Sequence, residues 1–144
     1  EALAVAHTSG ADFIRAEGFI FGQLSDEGYM DACAGELLRY RKNIGAERIK
    51  ILTDIKKKHT SNAITADIDI KIAAKSAEYF LSDGIVITGG FTGKEPDMDD
   101  VRKVKEAVNL PAIAGSGISF SNKETFYRFT DAFIIGSALK ENNN

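Results

Sequence analysis

Short apolar runs alternate with segments of helical period along this chain, and that alternation constrains the fold more than any other feature. The runs lie at residues 12–17, 48–55, 84–88, 111–117 and 132–137, recurring at intervals of roughly 25–35 residues with short connections. Such an order predicts βαβ units and a parallel sheet. The runs are nearly continuous in apolar character, as expected when helices cover both faces of a sheet or its strands close into a barrel.

The segments between them read as helices. Residues 1–10 form the tail of one, with Ala2, Ala4 and Ala6 packing closely and Gly10 as its stop. Residues 18–22 read as an apolar loop or strand extension. Ser25, Asp26 and Glu27 then supply a cap and an acidic first turn for a helix. Met30, Ala34, Leu37, Leu38 and Ile44 form its apolar face, Cys33 is a small core residue within it, and Gly45 is its stop. Residues 67–82 begin with strand-like alternation, but Ala73, Ala74, Ala77, Phe80 and Leu81 have helical spacing, so a helix is predicted from about Ile70. Asp97 opens another, with Val101, Val104 and Val108 on its apolar side. Residues 121–124 fit a capping box for a short helix through about Phe129. The polar end, 140–144, is predicted to fray.

Five runs fit a doubly wound sheet without missing parts, whereas an α/β barrel requires eight strands. Two features favour the barrel. The last two runs both end in Gly-Ser, and barrel phosphate sites lie after strands seven and eight. The short helix after Ile118 also belongs there. No G-x-G-x-x-G follows the first run.

A chain of 144 residues is one domain by size. Its net charge of −3 argues against a nucleic-acid polymer as partner, because nonspecific binding needs a basic face. No apolar run approaches the ~18 residues of a membrane helix. The lone Cys33 has no internal disulfide partner, which fits an intracellular, reducing compartment, cytoplasmic or organellar. The opening residues read as the middle of a helix, an expectation that the chain is a section of something longer.

With these residues in hand, the chain resembles the BtpA/SgcQ family of α/β-barrel proteins. The resemblance rests on residues 10–15, on Asp54-Ile55-Lys56-Lys57-Lys58-His59, on 63–67, on 80–84, and on the pair Gly115-Ser116-Gly117 and Ile135-Gly136-Ser137. It implies that residues 1–144 are the C-terminal five βα units of a TIM barrel, from a helix before strand four through strand eight. Members often carry a second His where this chain has Asn62, a departure that weakens a His pair as metal ligand. The family takes its name from a member implicated in photosystem I biogenesis, but other members occur in organisms without photosynthesis.

In α/β barrels function sits at the carboxy-terminal ends of the strands. Asp54 and Lys56, two apart, are read as facing the same way. They would serve as base and electrophile, or Lys56 would neutralise a phosphate; a structural ion pair is the competing reading. His59 is read as a general acid or base, against a loop histidine contacting a carbonyl. Asp54, Lys56 and His59 are therefore the catalytic candidates. Arg15 and Glu17 are expected to pair with each other, Asp12 to serve stability, and Lys57 and Lys58 to be solvated charges. Asp54, His59 and Glu17 are too loose a set for a metal site, and none is expected. Gly115, Ser116, Gly117, Gly136 and Ser137 are the phosphate candidates, because backbone N–H groups free at a strand end point outward and glycine admits an anion. Tight packing of glycine at strand ends is the competing reading. Thr88 and Gly89 would add donors from the neighbouring strand. Thr92-Gly93-Lys94 lacks the spacing of a P-loop.

Two functions follow as expectations. One is a barrel protein, catalytic or not, that binds a small phosphorylated metabolite, a sugar phosphate or nucleotide; no cofactor is assigned. The other is a non-catalytic assembly or stability factor acting through protein contacts. Five strands also leave two open edges, which predicts self-association of this chain on its own.

Overall fold

The computed structural model describes residues 1–26, 28–57 and 59–140. The expectations for Glu27, Lys58 and residues 141–144 lie outside them.

The principal sheet has five parallel strands: β1 (Phe13–Ala16), β4 (Lys50–Asp54), β6 (Gly84–Ile87), β7 (Ala112–Ala114) and β8 (Ala132–Phe133). They lie side by side in the order β1-β4-β6-β7-β8. The order never reverses, so there is no switch point of the kind a doubly wound sheet requires. Consecutive strands stay neighbours, as they do around a barrel. β1 and β8 are the open edges.

Helices α1 (Ala2–Ser9), α2 (Ala34–Asn43), α3 (Ile70–Tyr79), α4 (Met98–Ala107) and α5 (Lys123–Tyr127) accompany the strands. Side chains alternate along each strand, and one parity faces the helices. Ile14, Ala16 and Ile51 pack with Leu3, Ala6 and Ala34, and Ile85, Ile87, Ala112 and Ala114 pack with Ala73, Ala74, Val101 and Val104. The opposite parity, which includes Phe13, Arg15, Leu52 and Asp54, forms the inward face. Asp69 and Asp97 cap α3 and α4 by accepting the N–H of Ile72 and Asp99.

Three local expectations are corrected. The segment read as the start of a helix at Ser25 is an antiparallel hairpin, β2 (Gln23–Ser25) and β3 (Gly28–Met30), joined on its other side by β5 (Thr60–Ser61). Met30 pairs with Gln23 in that hairpin, and Cys33 is the half-buried residue before α2. Phe80 and Leu81 lie past the end of α3 and are 49% and 65% exposed. The capping box before α5 does not form. Asn122 Oδ1 instead accepts the Ser119 N–H at 2.8 Å, and its amide reaches back to the Gly117 carbonyl at 2.9 Å.

The amino-terminal end of the sheet is fastened twice by one device. The Asp83 N–H donates to the Ile51 carbonyl at 2.9 Å, and Asp83 Oδ2 accepts the Ile51 N–H at 3.0 Å. Asp131 does the same to Ala112, at 2.8 Å in both directions. Each aspartate precedes a strand and seals the start of its neighbour, and each carries a cation: Arg41 at 2.6 Å from Asp83, Lys105 at 2.7 Å from Asp131. Burial pushes the Asp83 carboxyl up, but the Ile51 N–H and Arg41 outweigh it and hold the group below the ordinary range. Lys105, then the Ala112 N–H, hold Asp131 below it as well.

Candidate functional site

The carboxy-terminal end of the sheet is built differently. Arg15 and Asp54 stand on adjacent strands and form a two-pronged pair, Nε to Oδ2 and Nη2 to Oδ1, both 2.6 Å. The Asp54 side chain is wholly buried, while that of Arg15 keeps 31% of its exposure. Burial pushes the Asp54 carboxyl above the ordinary carboxylate range, although Arg15 and Lys57 pull against it. The hydrogen bond from Arg15 to Asp54 raises the guanidinium in turn.

This pairing corrects two expectations. Arg15 is bound to Asp54 and not to Glu17; Glu17 pairs with Lys57. Lys57 is accordingly no solvated charge, since its side chain retains 10% exposure. Asp54 and Lys56 do not share a strand face either. β4 ends at Asp54, and Lys56 has φ 47°, which turns its side chain away so that Nζ donates to the Thr65 carbonyl at 2.7 Å. His59, also left-handed at φ 58°, is exposed, and its Nε2 lies 3.0 Å from Thr92 Oγ1. Asp54, Glu17 and His59 thus have separate partners, and among the described residues no three His, Cys, Asp or Glu gather as metal ligands.

The two Gly-Ser ends differ from each other. The Gly115 N–H, expected free, donates to the Ile87 carbonyl at 2.8 Å and continues the ladder. Ser116 is buried; its hydroxyl accepts the Gly89 N–H at 3.2 Å and donates to the Lys94 carbonyl at 2.9 Å. Gly117, at φ 66°, lies against the Glu95 backbone so closely that a Cβ there would collide with the Glu95 nitrogen. Gly136 and Ser137 are exposed, and Ser137 opens a 3-10 turn, Ser137–Leu139.

An open cleft of about 650 Å³ lies at this end, and Lys56, Lys57, Lys94, Thr88, Gly89 and Gly90 are among the residues lining it. Asp54 lines a separate cavity of about 20 Å³ together with Gln23, Lys56 and Asn62. Lys56 is therefore the predicted residue common to both. Lys57, Lys94 and Asn122, which also lines the cleft, were missed as site residues. Their only sequence signal is position after a strand, which many solvent lysines share.

No helix among the described residues is long and apolar enough to cross a membrane. The fold matches two solved structures. The YdjI aldolase from Escherichia coli K12 superposes with a TM-score of 0.57 at 18% identity over 93% of this chain and 46% of that one. GGGPS from Thermoplasma volcanium gives 0.54 at 21% over 93% and 58%. With the unreversed strand order, these identify the chain as five βα units of a TIM-type barrel. Among curated sequences, an uncharacterized mitochondrial protein of Caenorhabditis elegans is 46% identical over 97% of this chain and 50% of its own length. The photosystem I biogenesis protein BtpA of Synechocystis is 33% identical over 99% of this chain and 50% of its own. An uncharacterized protein of Pyrococcus furiosus is 32% identical over 98% and 52%. The chain spans about half the length of the curated relatives it matches. The BtpA family model matches residues 1–144, and the chain belongs to the BtpA family.

Proposed function

We propose that the carboxy-terminal end of the sheet binds a small phosphorylated metabolite, a sugar phosphate or nucleotide. The observation that carries this reading is the convergence of Lys56, Lys57 and Lys94 with Thr88, Gly89 and Gly90 on one cleft, which Glu95, Asp97 and Asp100 line as well. Lys56, which would exchange the Thr65 carbonyl for a phosphate oxygen, and the glycine-rich strand end suit a phosphate dianion, while Lys57 stays with Glu17. The barrel position agrees, since ligands sit where the strands end.

In this reading Lys56 meets the ligand, Asp54 acts through Arg15, and His59 approaches from the loop after β4. Ser116 with Gly115 and Gly117 takes the phosphate at the end of β7, and Gly136 with Ser137 forms the outer subsite. Isothermal titration with inorganic phosphate and with a pentose phosphate tests it. Millimolar or tighter binding that Lys56→Ala weakens about tenfold is expected. An absence of binding, or an unchanged Lys56→Ala, overturns it.

Assembly through protein contacts is the second reading. The Synechocystis relative, a photosystem I biogenesis protein, favours it, as do Phe91 and Phe120, 69% and 71% exposed in the loops after β6 and β7. It predicts that Phe91→Ala abolishes biological function while Lys56→Ala leaves it intact. We further propose that the open edges at β1 and β8 drive self-association of this chain on its own. Sedimentation as a clean monomer would contradict that.

A further inference from the structure

The segment from Gly89 to Glu95 is held at the strand ends from several sides. Ser116 joins its two ends, taking the Gly89 N–H and giving its own proton to the Lys94 carbonyl. Asn122 donates to the Glu95 carboxylate and, from the same amide nitrogen, to the Gly117 carbonyl. His59 reaches Thr92 from the loop after β4. A Cβ on Gly93 would be 3.7 Å from Ser137 Oγ, so the segment also meets the loop after β8. Little apolar burial adds to this: Phe91 is 69% exposed, and residues 90–95 are all exposed. A segment held by polar contacts and little buried surface opens at low cost.

What lies beneath it is the Gly115–Gly117 strand end. The Ser116 hydroxyl and the Gly117 backbone, groups of the kind that receive an anion, face the Lys94 carbonyl and the Glu95 backbone instead. We infer that residues 89–95 form a flap that occupies the anion-receiving strand end of β7, and that a phosphorylated ligand and the flap compete for Ser116 and Gly117. This rests on the phosphate reading above and adds its regulation: ligand engages only in the flap-open state, so its apparent affinity is reduced by the fraction of time the flap is open.

The test uses the full chain, inorganic phosphate as the probe, and the variant Thr92→Val/Asn122→Ala, which removes the contacts to His59 and Glu95 without changing the charge of the cleft. Calorimetry is expected to show phosphate binding about tenfold tighter to the variant than to wild type. Hydrogen exchange is expected to show residues 90–95 of wild type exchanging faster when phosphate is bound. Equal or weaker binding by a folded variant, or slower exchange of 90–95 with phosphate, overturns the flap while leaving the phosphate site standing. Failure of both proteins to bind phosphate overturns the site itself, and the flap with it. Where the variant does not fold, exchange in wild type alone decides between the outcomes.

Discussion

The two ends of the sheet use the same residue types for opposite purposes. At the amino-terminal end, Asp83 and Asp131 bind backbone and cation together, and both carboxyls lie below their ordinary range. At the carboxy-terminal end, Asp54 is gripped by Arg15 yet lies above it, because burial outweighs the pairing. The first arrangement favours the charge and seals the start of a strand. The second makes the charge costly and leaves its partner facing the open interior. In barrels generally, conservation of fold belongs to one end and chemistry to the other; here the electrostatics divide along that line.

The largest expected effect lies at the amino-terminal end. Asp83→Ala strips Arg41 of its carboxylate and leaves the Ile51 N–H without that acceptor. A loss of about 2–4 kcal/mol in urea denaturation is expected. Asp131→Ala should cost about 1 kcal/mol, since its ion pair with Lys105 is half exposed and the Ala112 N–H is the main loss. Asp54→Asn should cost no more than about 1 kcal/mol at neutral pH, because it removes a charge that burial disfavours and Arg15 can rehydrate. A cost for Asp54→Asn equal to that of Asp83→Ala would erase the distinction.

The pH dependence carries opposite signs at the two ends. A carboxyl held low when folded adds stability above the ordinary carboxylate range, and that stability is lost as pH falls through its folded value. This applies to Asp83 and Asp131. A carboxyl held high adds stability below that range, lost as pH rises through its folded value. This applies to Asp54. The gain in stability between about pH 3 and about pH 6 should therefore shrink in Asp83→Asn and grow in Asp54→Asn, measured by denaturation at each pH.

Much of this fold was legible because its signals are local. The helix from about Ile70, the helix start at Asp97, the stop at Gly10 and the parallel alternation follow from neighbours in sequence. The β2–β3 hairpin was not, because strands of three residues carry almost no period, and Met30 prolonged the helical spacing of Ala34, Leu37 and Leu38 backward. The ion pairs failed for a geometric reason. Arg15 stands opposite Leu52, and its long side chain reaches diagonally along the inward face to Asp54 on the next strand; Glu17 meets Lys57 beyond the strand ends, so both partners are ones that only the sheet brings together. Position at the strand ends was readable for Lys56 and Ser116; which groups they touch was not.

The division between the ends is tested most directly by melting wild type, Lys56→Ala and Asp131→Ala with and without phosphate at about ten times its dissociation constant. Wild type should gain about 3–6 °C. Asp131→Ala should melt lower but keep that gain, and Lys56→Ala should melt near wild type and lose most of it. A gain that survives Lys56→Ala, or one that disappears in Asp131→Ala, would contradict the assignment of binding to one end and stability to the other.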